Sequence, residues 1–186
     1  MIGFAMTGSH CTLSYALVEM EKLCALGYDV QPIMSESVYS TDTRFFEAAK
    51  LRKRVEEISG HEIIHTVRDA EPLGPIRPMD YLIIAPTTGN TAAKLANGIT
   101  DTAVTMAAKA HLRCDRPLLL AIASNDAASQ NLANIARLMT RRSVYLVPMR
   151  QDDPRSKPHS LVWDHSRLGE CFEAMKRGEQ IRPLFI

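Results

Sequence analysis

Residues 81–101 have the sequence YLIIAPTTGNTAAKLANGITD, in which an apolar run, a polar loop and an amphipathic segment follow one another. The run YLIIA, residues 81–85, is typical of a strand that is buried on both faces. Pro86 is expected to end this strand, because proline cannot donate a hydrogen bond to a neighbouring strand. Residues 91–113 are predicted to form two helices that are separated near Gly98. This stretch therefore predicts one β-α unit.

The same alternation continues on both sides of this unit. Further apolar runs occur at residues 2–6, 30–34, 118–122 and 144–147, and helix-length amphipathic segments at residues 12–26, 43–59, 132–139 and 166–178. Apolar strands that alternate with such helices imply a parallel sheet with helices on both faces. Three segments are predicted to be loops, namely residues 35–43, 66–79 and 150–165, the last of them a lid, a partner-binding loop or a solvated loop. We therefore predict a single α/β domain over residues 1–186, folded as a doubly wound three-layer sandwich.

The composition excludes several classes of protein. The 186 residues are 46% hydrophobic and carry 22 Lys and Arg against 21 Asp and Glu, so neither nucleic acid nor an anionic membrane is an expected partner. There is no apolar run long enough for a spanning helix, and the first residues do not resemble a signal peptide. The four cysteines are scattered, which predicts reduced thiols in a cytoplasmic protein. No metal site is predicted: His61 and His65 have helical i, i+4 spacing, but they lie where the chain is expected to leave a helix at Gly60.

A ligand is expected at the carboxyl ends of the strands, as in other open α/β sheets. Five loops are predicted to gather there, at residues 7–10, 35–43, 86–91, 124–126 and 150–154, and the first four are rich in hydroxyl, amide and small side chains. Each loop alone is more typical of helix caps and turns, but four on one rim favour a site for an anion such as a phosphate. The chain has neither a G-x-G-x-x-G motif nor a P-loop, and a monophosphate such as that of FMN remains compatible with these loops.

Several of these stretches resemble a known group of proteins. Residues 84–101, IAPTTGNTAAKLANGITD, are similar to the P-x-S-x-N-T…K-L-A-x-G-x-x-D segment of the flavin-binding cysteine-decarboxylase superfamily, which includes phosphopantothenoylcysteine decarboxylase and flavin prenyltransferase. Within it, the stretches TGSHCT, STDTRF, AEPLGP, SNDA and QDDP resemble the family of dipicolinate synthase B subunits; they begin at residues 7, 40, 70, 124 and 151. The resemblance covers nearly the whole chain.

The resemblance implies a flavodoxin-like fold, a homo-oligomer and bound FMN. It also implies that the chain works with a second, NAD(P)-binding chain, the A subunit of dipicolinate synthase, to form pyridine-2,6-dicarboxylate from a dihydrodipicolinate precursor during sporulation. The flavin phosphate is expected at Gly8, Ser9 and Ser35. The ring system is expected near Thr88, Gly89, Asn90 and Asn125, and the further implied cofactor-binding residues are Pro86, Thr91 and Ser124.

Two departures from the superfamily's pattern point to a different substrate. The loop VRDAEPLGPIRPMD, residues 67–80, lacks the histidine that the decarboxylases carry before the following strand. The segment ASND, residues 123–126, stands where the decarboxylases have P-x-M-N, and it keeps only the asparagine. Two alternatives to the synthase role remain open: a decarboxylase or prenyltransferase acting on another substrate, or a non-catalytic partner with a decayed flavin site.

Aromatising a dihydropyridine dicarboxylate removes a hydride and a proton. The two carboxylates of such a substrate favour cationic partners, and the predicted ones are Arg44, Lys94 and Arg150, with Arg113 a weaker candidate. His10 is the candidate base, although a histidine here is more typical of a helix cap or of a hydrogen bond to a loop carbonyl. The carboxylates Asp101, Asp126, Asp152 and Asp153 are alternative bases. Cys11 is not expected to be a nucleophile, since the spacing of the residues around it supports no histidine and aspartate pair that would activate it.

Overall fold

The computed structural model describes residues 1–186, and its central feature is a parallel sheet of five strands. These are β1 (Ile2–Met6), β2 (Val30–Met34), β3 (Tyr81–Thr88), β4 (Leu118–Ser124) and β5 (Val144–Leu146), in the order β2-β1-β3-β4-β5. Eight α-helices flank the sheet: α1 (Leu13–Ala25), α2 (Glu36–Ser40), α3 (Ala48–Ser59), α4 (Val67–Ala70), α5 (Gly89–Asn97), α6 (Ala103–Leu112), α7 (Leu132–Met139) and α8 (Leu168–Lys176). None of these helices combines the length and apolar character needed to cross a membrane.

Two apolar cores of 25 buried residues each lie on the two faces of the sheet. One joins the sheet to α1, α3 and α8 and includes Phe4, Leu13 and Phe172. The other joins it to α5, α6 and α7 and includes Leu95 and Leu120. Strands buried on both faces explain the continuous apolar runs in the sequence. The predicted three-layer, flavodoxin-like α/β fold is confirmed.

An antiparallel hairpin makes the sheet mixed, and it corrects the prediction that residues 150–165 form a loop. Strands β6 (Met149–Asp153) and β7 (Lys157–Trp163) pair with each other, so the sheet has seven strands. Strand β7 pairs with the end of β4, where Ala123 faces Val162 and Ser124 faces Leu161. The first part of β4 pairs with β5 at the same edge. Because most residues of the hairpin are exposed, the sequence there lacks an apolar run.

Strand β3 continues beyond Pro86, which was predicted to end it. The pairing of β3 with β4 shifts register between Ile84 and Thr87, and the Ala85–Pro86 peptide is cis. Proline lacks an N–H, but the Pro86 carbonyl still accepts a hydrogen bond from the Thr7 backbone N–H at 3.3 Å. The strand therefore carries the residues that follow Pro86 to the edge of the sheet.

Two predicted loops contain short helices, and one helix begins later than predicted. Helix α2 lies within residues 35–43 and α4 within residues 66–79. Helix α3 begins at Ala48 rather than at residue 43. The Asp42 carboxylate accepts a hydrogen bond from the Ala48 N–H, at the start of the helix, at 2.8 Å. Gly60 follows its last residue, Ser59, and caps the helix with a φ of 72°, in the left-handed region that favours glycine.

Candidate functional site

A cavity of about 680 Å³ lies at the carboxyl ends of β1, β3 and β4. Its volume is within the range typical of small-molecule sites. We call the ends of these strands and the loops after them the floor; its residues are Gly8–Thr12, Thr88–Asn90 and Ala123–Asp126. We call the hairpin residues the wall (Asp152, Lys157 and Ser160–Val162). Arg44 and Phe45, from the loop before α3, complete the lining.

Thr7 fastens the ends of β1 and β3 to each other. Its buried hydroxyl donates a hydrogen bond to the Pro86 carbonyl at 2.8 Å and accepts one from the Thr88 N–H at 2.9 Å. The Thr88 hydroxyl in turn accepts a hydrogen bond from the Thr91 N–H at 3.2 Å and caps α5. These bonds fix the position at which the first turn of α5 meets the cavity.

Gly89 packs against the loop that follows β4. A Cβ atom at this position would lie 2.6 Å from Asn131 Nδ2 and 2.9 Å from Asp126 Oδ1, and closer still to the Ser124 hydroxyl. Real Cβ atoms do not approach other atoms this closely, so a larger residue here would displace the hydrogen-bonded side chains of the β4 loop; the reason for glycine is this contact and not its backbone angles. The floor is therefore closely packed between α5 and β4.

The Asp126 carboxylate organises the β4 loop. It accepts hydrogen bonds from the Ser124 hydroxyl and from Asn131 Nδ2, the latter at 3.0 and 2.9 Å to its two oxygens. These bonds, that of Ser124 foremost, hold the pKa of Asp126 below its ordinary value. Asp126 is therefore ionised at neutral pH and is occupied with holding the loop.

Backbone amides are available on the floor for an anionic ligand. The N–H groups of Gly8 and Asn125 donate to no acceptor of the protein. A Cβ at Gly8 would lie 2.8 Å from the Ser37 hydroxyl, so the backbone there has no room for a larger residue unless Ser37 moves. Both residues line the cavity, in loops that precede helices. Such amides can bind a phosphate or carboxylate group.

The charged groups of the cavity come from both sides. Arg44 is exposed and forms no ion pair, and its guanidinium carbon lies 4.8 Å from the centre of the Phe45 ring. Lys157 Nζ lies 2.6 Å from the Asp152 carboxylate, and this hydrogen bond raises the pKa of Lys157. Burial lowers the pKa of His10 below its ordinary value of 6.5, so its imidazole is neutral at pH 7. The cavity thus offers cations for an anion and a neutral imidazole that can accept a proton.

The structure brings most of the predicted site residues to this one cavity. They come from four separate segments of the chain, which agrees with the expectation that the loops after the strands converge. The predicted residues on the lining are Gly8, Ser9, His10, Arg44, Thr88, Gly89, Asn90, Ser124 and Asn125.

Three predicted cofactor residues lie behind the lining. Ser35 bonds through its hydroxyl to that of Ser37 at 3.1 Å, and Ser37 rather than Ser35 approaches Gly8. Pro86 is buried within β3. Thr91 is buried in the first turn of α5, where it supports the helix cap. The structure therefore does not place these three on the cavity lining, and their contact with a ligand stays a prediction.

The other predicted cations point elsewhere. Lys94 pairs with Asp101 at 2.9 Å and belongs to the far end of α5. Arg150 lies on β6 close enough to lower the pKa of Asp164, outside the cavity. Arg113 lies at the end of α6, on a different hollow. Of the predicted substrate cations, only Arg44 reaches the cavity.

Sequence reasoning found only part of the wall: it placed residues 150–154 at this edge and named Asp152, but it predicted a loop over residues 150–165 and so missed strand β7. Lys157, Ser160, Leu161 and Val162 line the cavity from β7, and the lining also includes Cys11, Thr12, Phe45 and Ala123. One signal for a hairpin was present in the sequence: Asp153 precedes a proline, a pair that favours turns. In the structure the Asp153 carboxylate accepts hydrogen bonds from the N–H groups of Arg155 and Ser156 at 3.2 and 3.1 Å and closes the hairpin.

Comparison with known proteins gives consistent matches over this fold. The family model described as Flavoprotein matches residues 1–167. The B subunit of dipicolinate synthase from Bacillus subtilis (strain 168) is 43% identical over 185 residues, which cover 100% of this chain and 92% of the relative. The crystal structure of the corresponding B subunit from Bacillus halodurans C is 43% identical, with a TM-score of 0.90 over 100% of this chain and 95% of that one. The FMN-dependent cysteine decarboxylase SpaF, 18% identical with a TM-score of 0.67 over 95% of each chain, shares the fold.

Proposed function

The chain belongs to the Flavoprotein family and, within it, to the family of dipicolinate synthase B subunits, and from this premise we propose that its cavity binds FMN. We further propose that it acts with an NAD(P)-binding partner, the A subunit of the synthase, to form pyridine-2,6-dicarboxylate from a dihydrodipicolinate precursor. The observation that carries the cofactor proposal is the floor. On the floor, the backbone N–H groups of Gly8 and Asn125 donate to no acceptor of the protein. Gly8 and Gly89 leave space that a Cβ could occupy only if neighbouring side chains moved.

These features fit a flavin mononucleotide. The loop of Gly8 and Ser9, ahead of a helix, suits the phosphate, because free amides and a helix start both favour an anion. The residues Thr88–Asn90 and Asn125 supply small side chains and amide groups for a planar ring. When bound, FMN would supply a two-electron acceptor for a hydride. Support also comes from SpaF, which shares the fold and is an FMN-dependent enzyme.

His10 is proposed as the group that takes the proton from the substrate. It lies on the cavity lining, and burial keeps its imidazole neutral at pH 7, the form that accepts a proton. The floor supplies no competing base, because the Asp126 carboxylate is already held by Ser124 and Asn131.

Arg44 is proposed to bind a carboxylate of the substrate. Its guanidinium is free of acidic partners and faces the cavity, so two parallel hydrogen bonds to a carboxylate are available. Lys157, which sequence reasoning missed, faces the same space from the wall. We propose that these two cations together select a dicarboxylate over a neutral ring.

The remaining parts of the proposal rest on the family. The relatives are named as one subunit of a synthase, which supports a partner chain, and we propose that this partner carries the NAD(P) site. We also propose, from the family, that the chain is a single domain and that several copies of it form a homo-oligomer. A chain that binds no flavin would instead be a non-catalytic partner that completes the site of the A subunit, and the following experiment separates the two.

The first test is the visible spectrum of the purified protein, followed by titration of the cofactor-free protein with FMN. We expect a flavin spectrum, or saturable quenching of FMN fluorescence, with an affinity that Gly89→Ala weakens at least roughly tenfold because of the clash with the β4 loop. Gly169→Ala is the matched control, since nothing lies within 4 Å of a Cβ there. A colourless protein that leaves FMN fluorescence unchanged would refute the cofactor proposal.

The second test separates the base from the cofactor site. In the complex with the NAD(P)-binding partner, His10→Ala should lower kcat by roughly 10²–10⁴-fold while FMN affinity stays unchanged. The wild-type rate should fall as pH drops through the His10 pKa, below 6.5, because protonated imidazole cannot accept a proton. His159→Ala, an exposed histidine of the hairpin outside the cavity, is the control. A His10→Ala complex with full activity would remove His10 from the mechanism.

A further inference from the structure

A second hollow of about 280 Å³ lies between α5 and α6, away from the cavity described above. Its apolar lining comes from Leu95, Ile99 and Leu112. Three cationic side chains line it, and no carboxylate does: Lys109, Arg113 and Arg141. None of these residues has a role in the proposed reaction.

The cations of this hollow are poorly neutralised. Lys109 takes part in no ion pair, and Arg141 donates only to the Leu95 carbonyl, at 3.2 Å. The one acidic neighbour of Arg113 is Glu71 at 3.9 Å, the longest ion pair in the molecule. Like charges that border one hollow repel each other, and an anion placed between them removes that cost.

Helix ends explain only part of this arrangement. The C-terminal end of a helix favours cations, and Lys109 and Arg113 lie in the last turn of α6 and just after it. They are four residues apart, so they lie on one face of the helix. Arg141 comes from the segment after α7 and is held on α5 through the Leu95 carbonyl. The hollow therefore has Lys109 and Arg113 on its α6 side and Arg141 on its α5 side, and apolar residues complete its lining.

We propose that this hollow binds a small organic dianion, with an anionic group at each end and an apolar body that covers Leu95, Ile99 and Leu112. The separation of the cations onto two helices favours two oxyanion groups over one, and the planar guanidinium of arginine suits carboxylates. The apolar residues distinguish this ligand from inorganic phosphate, which has no surface to place on them. This assignment is independent of the proposed function of the main cavity.

The test is calorimetric titration with benzene-1,3-dicarboxylate of the full-length protein and of its Arg44→Gln variant, because the main cavity is also proposed to bind a dicarboxylate and this variant removes its substrate arginine. Arg44→Gln should retain the binding that belongs to the hollow. We expect saturable binding that the combined substitutions Lys109→Gln, Arg113→Gln and Arg141→Gln weaken at least roughly tenfold. The control removes the same amount of charge from α3 through Lys50→Gln, Lys53→Gln and Arg54→Gln, and its affinity should equal that of the wild type. Benzene-1,3-dicarboxamide, which lacks the charges, and inorganic phosphate, which lacks the ring, should both bind more weakly.

Three results would overturn the assignment. One is the absence of saturable binding to the wild-type protein. Another is equal weakening by the two charge-removal variants, which would indicate general electrostatic attraction. The last is binding that Arg44→Gln abolishes and the hollow variant retains, because this would place the ligand in the main cavity.

Discussion

The floor and the wall of the cavity are held in place in different ways. The floor follows strands β1, β3 and β4, whose residues are almost all buried, and its side chains are joined by hydrogen bonds such as those of Thr7 and Asp126. The wall belongs to a hairpin that is exposed over most of β6 and the first half of β7. It pairs with β4 only through Ala123 and Ser124.

This difference suggests a division of roles. A closely packed floor can hold a cofactor in one position, because any displacement breaks several hydrogen bonds and contacts. An exposed wall carries charges that can change without loss of the fold, which suits selection among substrates. The comparison predicts large effects for changes on the floor and small, substrate-specific effects for changes on the wall.

The largest effect is expected at Gly89. Substitution by alanine places a Cβ against Asn131 and Asp126, and the strain should lower the free energy of unfolding by about 1–3 kcal/mol. Thermal and urea unfolding measure this loss. The control Gly169→Ala, in helix α8, should be neutral or slightly stabilising, because alanine is a better helix former than glycine. If the two variants are equally stable, the floor can rearrange around a Cβ at residue 89, and the floor is not the more closely packed of the two regions.

A smaller effect is expected for Asp126→Asn. An asparagine keeps one acceptor oxygen, but it loses the charge and places an NH2 group against Asn131 Nδ2, which is also a donor, so with partial exposure the loss should be about 1–2 kcal/mol. Because folding lowers the pKa of Asp126, the wild-type carboxylate stabilises the fold above the ordinary value of 3.8, and this contribution disappears as pH falls through the lower, folded pKa. Unfolding curves of wild type and variant should therefore converge in acid.

The control for this variant lies on the wall. Asp152→Asn removes an exposed carboxylate and should leave the unfolding curve unchanged at every pH. If Asp152→Asn destabilises as much as Asp126→Asn, the proposed contrast between floor and wall fails.

The sequence predicts the floor well because burial leaves a pattern. Strands covered on both faces must be apolar along their length, as in residues 81–85 and 118–122, and the loops after parallel strands must share one edge of the sheet. These two rules alone are enough to place Gly8, His10 and Asn125 together. The extension of β3 past Pro86 was not predicted, because the rule against proline in strands ignores a register shift.

The part of the wall that lies on β7 could not be predicted from a burial pattern. Lys157, Pro158 and His159 are exposed, so β7 begins without the apolar alternation that marks a strand. Spacing along the chain also cannot show which cations turn toward a cavity. Lys94 follows the polar loop closely, yet its partner Asp101 holds it at the other end of α5.

The smallest effect on the fold is expected for Lys157→Gln, which tests whether the wall selects the substrate. Lys157 is exposed and its pair with Asp152 is a surface pair, so thermal stability and FMN affinity should both be unchanged. The hydrogen bond that Lys157 donates to the Asp152 carboxylate raises the pKa of Lys157, so the ammonium group is charged throughout the pH range of an assay. Its loss should raise KM for the dicarboxylate roughly tenfold with little change in kcat, the result expected when binding is lost equally from ground and transition states. Lys157→Arg, which keeps the charge, should recover most of the loss. If Lys157→Gln instead weakens FMN binding as Gly89→Ala does, the hairpin is part of the cofactor site and the two regions do not differ in role.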